Sequence, residues 1–268
     1  MWTREELKIR AKASLKLSYW KAFLVSLVLA FATGSGGGGG SGGRGGSDFG
    51  TGDLQNMGDT MGSNGDMSWL PVVLVAVGIF LVVMVFVLAL RVFLGFPLEV
   101  GGRKFFVEST KHEFNLGHLG YVFSGGSYLN VVITLFMRGL FLFLWTLLLI
   151  IPGIIKGYAY RMVPYILADN PAMNYKDAIA LSNKMTDGEK LDMWVLDLSF
   201  IGWYLLGAFA LLIGILFVHP YYNATQAELY MHLRKRAIDK GFCSASDLNV
   251  VVPVIATDAG ITLDKELE

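Results

Sequence analysis

The sequence has little charge, one cysteine and four histidines. Of its 268 residues, 16% are charged, whereas soluble domains usually carry about 25% charged residues. The single cysteine, Cys243, excludes an intramolecular disulfide and a cysteine-based metal cluster. The histidines show no spacing typical of a zinc site. We therefore expect neither a metal nor any other cofactor.

The sequence also lacks the short motifs of common enzymes. It has no nucleophile elbow, no zinc-binding motif and no phosphate-binding loop that ends in Gly-Lys-Ser/Thr. We therefore expect a protein that is not an enzyme. Its basic clusters have no interleaved aromatic residues in a soluble fold, so a nucleic acid partner is not expected. Because lysines balance them, we expect four acidic residues to be solvated: Asp169, Asp177, Asp187 and Glu189.

Long apolar runs take the place of the missing charge, as is typical of a chain in lipid. The clearest run, residues 72–90, contains no charged residue. Other runs cover residues 20–33, 129–151, 153–168 and 191–233, the last being long enough for two helices that divide near 210–214. We predict an all-α, polytopic helical membrane bundle with about six transmembrane helices and an N-terminal amphipathic helix. A four-span alternative makes residues 153–168 re-entrant.

Proline and glycine predict where these helices end. We expect Pro97 to end the second span, and residues 97–127 to form a polar loop with one short surface helix. Pro152 and Gly153 are expected to break residues 129–151 from 153–168 in a tight hairpin. A short amphipathic helix is predicted over residues 174–185.

Composition divides the chain into one membrane domain and a tail. Residues 1–240 are predicted to form the helical membrane domain, with a glycine-rich extracytoplasmic loop inserted at 34–68. Residues 241–268 are predicted to form a flexible acidic tail. A retained first span is favoured over a signal peptide cleaved after Ala32, because the polar segment before it is itself patterned as a helix.

Residues 3–19 are patterned as a basic amphipathic helix, which Thr3 and Glu6 would cap. Lys8, Lys12 and Lys16 recur at helical spacing and form a stripe. We interpret these lysines as candidate contacts with an anionic lipid surface. The alternative is a simple cytoplasmic anchor for the first span.

Charged residues inside the predicted spans need partners, because an unpaired charge in lipid costs at least ~2.5 kcal/mol. The candidate polar cluster consists of Arg138, Arg161, Asp197 and Glu228. One interpretation is mutual pairing, with Arg138 or Arg161 bound to Asp197. The other is a polar cavity in which arginines face the anionic group of a lipid or a solute.

Eight stretches of the chain carry a family resemblance. They are MWTREELK (1–8), YWKA (19–22), IIPGIIK (150–156), YRMVPYILA (160–168), AIALSNKM (178–185), LDLSFIGW (196–203), and Pro220-Tyr221 with Glu228-Leu229-Tyr230. Together they resemble the uncharacterised bacterial integral membrane proteins called domain of unknown function 975, from residue 1 to about 235. The 178–188 helix and the Pro-Gly-Ile hairpin more distantly resemble the membrane region beside glycerophosphodiester phosphodiesterase domains. That catalytic domain is absent here, so its activity is not implied.

The distribution of basic residues predicts the topology. With six spans, Arg44 is the single basic residue assigned to the outside. Four spans would also place five more basic residues there: Lys156, Arg161, Lys176, Lys184 and Lys190. We therefore expect a multi-pass protein of the bacterial cell membrane with both termini cytoplasmic. Its expected role is non-enzymatic contact, at the cytoplasmic face, with anionic lipid, a partner protein or another copy of itself. The alternative is a small-solute or lipid transporter or channel.

Overall fold

The structure, a computed structural model, describes residues 2–33, 70–209 and 213–250. Within these ranges the chain is helical and contains no strand, so the all-α prediction is confirmed for them. The glycine-rich loop at 34–68 and the tail beyond residue 250 lie outside the described residues.

Helix α1 (Arg4–Thr33) begins as predicted, because the backbone N–H of Glu6 donates to Oγ1 of Thr3 (3.2 Å). The helix bends at Ser18, whose φ of −155° and ψ of 48° are not helical. Before the bend α1 buries Leu7, Ala11 and Leu15, and after it Ala22, Val25 and Leu29.

Helix α2 (Leu70–Ser109) is 40 residues long, which corresponds to about 60 Å or twice the thickness of a bilayer's hydrocarbon core. A π-helical turn at Arg91–Gly95 divides it. The predicted end at Pro97 is wrong, since the helix continues through Pro97 to Ser109. Pro97 lies at the start of the segment after the π turn, where its missing N–H is tolerated.

The second part of α2 belongs to the core. Val100, Phe105, Phe106 and Val107 are fully buried there, so the polar loop expected from residue 97 begins after Ser109 instead. A 3₁₀ helix (Leu116–Gly120) then folds back against α2, and an added Cβ at Gly101 would lie 2.3 Å from the carbonyl oxygen of Leu119.

Helices α3 (Tyr128–Leu148) and α4 (Ile150–Ala159) form the predicted hairpin, but its break lies at Leu149 rather than at Pro152. In a continuous helix the ring of Pro152 would clash with the carbonyl of Leu148, four residues earlier. Helix α3 therefore ends at Leu148. Pro152 then lies in the first turn of α4, where proline is tolerated.

The predicted span 153–168 is not a single helix. Helix α4 ends at Ala159, and a turn separates it from α5 (Val163–Asp169). Every residue of α5 is buried, because other helices of the protein surround this segment. Two helices of ten and seven residues are each too short for the ~20 residues of a helical span.

Three further helices follow the sequence closely. Helix α6 (Tyr175–Met185) begins at the side chain of Asn174, which accepts a hydrogen bond from the backbone N–H of Lys176 (3.0 Å). Helices α7 (Lys190–Phe209) and α8 (Ile213–Asp239) are separate, as the predicted division near 210–214 requires.

Among the described residues, three helices are long and apolar enough to cross a membrane: Arg4–Thr33, Leu70–Ser109 and Tyr128–Leu148. These helices are the ones expected of a membrane protein, but they do not confirm six spans. The first of them also contains the bend at Ser18.

The bend at Ser18 reverses the direction of α1 along α8. Lys12 Nζ lies 5.5 Å from the ring centroid of Tyr221, and Tyr19 Oη donates to the carbonyl of Phe217 (3.2 Å). Beyond the bend, Ser26 Oγ accepts from Nδ2 of Asn223 (3.1 Å). The two halves of α1 therefore pack against α8 in opposite directions.

The first residues of the predicted tail pack on the helices. Leu248 is 1% exposed, and Nδ2 of Asn249 donates to the carbonyl of Asp169 (2.9 Å). The carbonyl of Asp247 in turn accepts from Nδ2 of Asn170 (2.8 Å). Residues 241–250 thus attach to the end of α5.

Candidate functional site

An ion pair between Arg161 and Asp197 joins the turn after α4 to the middle of α7. Nη1 and Nη2 of Arg161 donate to Oδ2 and Oδ1 of Asp197 at 2.9 and 3.0 Å. The two parallel hydrogen bonds are the bidentate geometry in which guanidinium and carboxylate bind most strongly. Of the two pairings left open by the sequence, the structure contains the one with Arg161.

Neutral side chains complete the coordination of Asp197. Tyr158 Oη donates to Oδ2 (3.0 Å), while Tyr222 Oη and Gln226 Nε2 donate to Oδ1 (3.1 and 3.3 Å). Tyr222 also accepts a hydrogen bond from Arg161. The network thereby connects α4, α7 and α8 through hydrogen bonds to one carboxylate.

Arg138, the other predicted arginine, pairs with a residue that the sequence did not indicate. Its Nη1 lies 3.6 Å from Oε1 of Glu99 on α2, which is an ion pair but too long for a strong hydrogen bond. The Nε of Arg138 is buried and contacts no acceptor among the described residues. The guanidinium is therefore only partly satisfied.

Arg103, on α2 one turn beyond Glu99, is held by neutral groups. Its Nη1 donates to Oη of Tyr165 (3.1 Å) and to Oδ1 of Asn223 (2.9 Å). In the described part of the chain Arg103 forms no ion pair, and its buried Nε has no acceptor. Electrostatic interactions connect it with Arg138, Arg161 and Glu99.

The three guanidiniums and their acids form what we call the arginine cluster: Arg103, Arg138, Arg161, Glu99 and Asp197. Three positive charges against two negative ones leave one positive charge in excess. Because burial penalises an uncompensated charge, this arrangement favours an additional negative group at Arg103 and Arg138.

Two other charges of the predicted spans lie apart from this cluster. Lys156 Nζ lies 5.2 Å from the ring centroid of Trp145, an interaction between a cation and an aromatic face. Glu228 on α8 is 8% exposed and interacts electrostatically with Arg10 of α1. The structure does not bring Glu228 together with Arg138, Arg161 or Asp197.

The three lysines of the α1 stripe (Lys8, Lys12 and Lys16) differ in their exposure and contacts. Lys8 Nζ donates to the carbonyl of Ser199 (3.3 Å) and lies 4.6 Å from the ring centroid of Phe200. Lys12 and Lys16 are exposed. Because the apolar stripe of this helix is buried inside the protein, it is not available for insertion into lipid.

A second ionic group lies at the other end of α5. The side chains of Asp169 and Arg234 are 3% and 9% exposed, and Oδ2 of Asp169 accepts from Nη1 of Arg234 (2.8 Å) and from Oη of Tyr230 (2.7 Å). Glu189 pairs with Arg236 and accepts from Nε1 of Trp2 (2.9 Å). The expectation that Asp169 and Glu189 are solvated is therefore wrong. Both pair with arginines of α8.

Sequence reasoning missed Glu99 and Arg103 because it ended α2 at Pro97 and placed both residues in a loop. A signal was present, since Glu99 and Arg103 are four residues apart and the apolar Val100 and Val107 are seven apart, both of which are helical spacings. Tyr158 and Tyr222 carried no signal of their own, because tyrosines of a membrane helix usually pack or lie at the interface.

The comparisons with known proteins agree with the sequence resemblance in part. No curated protein and no solved structure matches the chain. The distant likeness to the membrane region of glycerophosphodiester phosphodiesterases receives no support from any comparison. The family described as protein of unknown function (DUF975) matches residues 146–237, a segment that contains Arg161, Asp197 and Tyr222. The resemblance to this uncharacterised family is therefore confirmed over α4 to α8.

Proposed function

We propose that this chain is a non-enzymatic, multi-pass membrane protein that contacts anionic lipid through the exposed cations of α1. The observation that carries the proposal is the division of this helix into two faces. Leu7, Ala11 and Leu15 are buried against the protein, while Lys12 and Lys16 remain exposed. A cationic face held in place by a buried one is suited to a surface of negative headgroups.

The charge of the N-terminal segment supports the same proposal. Residues 2–21 contain six basic and two acidic residues, a net charge of +4. One of the acids, Glu6, forms an ion pair with Arg10. Each exposed lysine near an anionic membrane surface contributes about 1 kcal/mol, an attraction that salt screens.

The test uses the full chain in nanodiscs that contain equal amounts of phosphatidylglycerol and phosphatidylcholine. The double variant Lys12→Gln and Lys16→Gln should retain several-fold less phosphatidylglycerol after purification, as measured by lipid mass spectrometry. The matched control removes Lys176 and Lys184, two exposed lysines of α6, in the same way. Equal retention by the two double variants would contradict a role for α1.

A protein partner at this same face is the competing occupant. In that case the α1 variant would keep its phosphatidylglycerol but lose a protein that copurifies with the wild type. Such a result would replace lipid by protein as the contact of Lys12 and Lys16.

Transport of a small anion is the second candidate function, and the partly satisfied Arg138 is the observation that favours it. Proteoliposomes containing the wild type would then show an anion flux, and Arg138→Leu would abolish it while the protein stays folded. Equal fluxes in the wild type and in empty liposomes would remove this candidate.

A further inference from the structure

We propose that Arg103 and Arg138 form a binding site for one phosphate group, which neutralises the arginine cluster. The inference does not depend on α1 or on its exposed lysines. It concerns the interior surfaces of α2 and α3 and the residues that face them.

The charge balance of the cluster is the first step. Asp197 is saturated by Arg161 and by the hydroxyls of Tyr158 and Tyr222. Its negative charge is therefore not available to the other two arginines. Among the described residues Glu99 remains as the one acid that interacts with both Arg103 and Arg138, so this part of the chain lacks one negative charge there.

Unsatisfied donors are the second step. The Nε–H groups of Arg103 and Arg138 are buried and have no acceptor among the described residues. A buried donor without an acceptor costs about as much as a lost hydrogen bond, so proteins rarely leave such groups unsatisfied. An anion between the two guanidiniums would accept from both.

Access is the third step. The side chain of Arg138 is 23% exposed, so a ligand can reach this arginine from outside the protein. One turn farther along α3, Phe141 lies on the same face as Arg138, and its apolar side chain is exposed. A phosphate that carries acyl chains would fit this combination of a cationic centre and an apolar neighbour.

The shape of the anion is the fourth step. Arg103 lies on α2 and Arg138 on α3, so their donors approach from different directions. Phosphate oxygens point to the corners of a tetrahedron, whereas carboxylate oxygens lie in one plane. A phosphate monoanion therefore suits two guanidiniums on separate helices and supplies the one missing charge. The phosphodiester of an anionic lipid and free phosphate share this chemistry.

The experiment is native mass spectrometry on the full chain after delipidation, with phosphatidylglycerol or phosphatidylcholine added back. We expect the wild type to retain one phosphatidylglycerol in preference to phosphatidylcholine. Arg103→Gln and Arg138→Gln should each lower this retention at least tenfold. Lys235→Gln, which removes an exposed charge from α8, is the control and should leave it unchanged.

Glu99→Gln provides a test that misfolding cannot imitate. This variant removes the internal acid that competes for Arg138, so it should bind the lipid several-fold more tightly. A loss of retention in Glu99→Gln, or wild-type retention in both arginine variants, would overturn the proposal.

The source of the phosphate is decided by isothermal titration of the delipidated protein with inorganic phosphate. Binding of free phosphate without selective lipid retention would assign the site to a soluble anion. Selective lipid retention that phosphate does not displace would assign it to a headgroup. If the wild type binds neither, the site does not exist.

Discussion

Arg161 and Asp197 form a bidentate ion pair that joins the turn after α4 to the middle of α7, with donor–acceptor distances of 2.9 and 3.0 Å. The side chains are 11% and 23% exposed, so the pair is mostly withdrawn from solvent. Breaking a buried pair leaves a charge without compensation, whereas removing both partners leaves none.

We therefore expect Asp197→Asn to destabilise the protein by about 3–5 kcal/mol, since Arg161 would lose its counter-ion. The double variant Arg161→Met with Asp197→Leu should recover much of this loss. Chemical unfolding in detergent, followed by circular dichroism, measures both. A double variant whose loss equals the sum of the losses in Arg161→Met and Asp197→Leu, each measured alone, would show that the residues act independently.

A second prediction concerns the close contact between α2 and the 3₁₀ helix at Leu116–Gly120. Gly101→Ala should cost about 1–3 kcal/mol, because the added Cβ would lie 2.3 Å from a backbone oxygen that cannot move freely. Gly139→Ala on α3 is the matched control, since an added Cβ there meets nothing within 4 Å.

The control should be neutral or stabilise α3 by up to ~1 kcal/mol, because alanine favours a helix over glycine. Thermal unfolding of both variants in the same detergent makes the comparison. Equal melting temperatures for the two alanine variants would contradict the packing of residues 116–120 on α2.

A third prediction uses Cys243 as a reporter of the attachment of residues 241–250. Burial, together with the nearby negative charge of Asp247, raises the pKa of the Cys243 thiol. A raised pKa means less thiolate at neutral pH, and the thiolate is the reactive form. Alkylation by iodoacetamide should therefore reach half its maximal rate at a higher pH in the folded protein than in the SDS-unfolded chain.

Loosening the attachment should reverse this effect. Leu248→Ala removes a buried contact of the same segment and should shift the pH dependence toward that of the unfolded chain. Lys184→Gln, at an exposed position of α6, is the control and should behave as the wild type. A pH dependence that is identical in folded and unfolded wild type would show that the thiol is not buried.

Local signals predicted local structure well. Thr3 and Asn174 each cap the helix that follows them, because the capping hydrogen bond involves residues close in sequence. The division between α7 and α8 was likewise predicted from the length of the apolar run. Pro97 was misleading, because a π-helical turn upstream lets the helix pass through it, and no rule of composition indicates that turn.

The partners of the buried charges could not be predicted in the same way. Glu99 and Arg138 are far apart in sequence, and so are Asp169 and Arg234, so their pairing depends on how the helices pack. Charge counting treated Asp169 as a solvated loop residue, although α5 lies wholly inside the protein. A sequence pattern gives the period of a helix but does not identify which neighbour covers each face.

The segment Leu70–Leu90 of α2 has no residue buried by the described part of the chain. Its side chains therefore contribute hydrophobicity and length but no internal fit, unlike Phe105 and Phe106 farther along the same helix. Over evolution, exchanges among leucine, valine, isoleucine and phenylalanine in this segment would be nearly neutral, while the second half of the helix would tolerate few. One continuous helix thus combines a first half whose sequence can diverge with a second half whose sequence is constrained by packing.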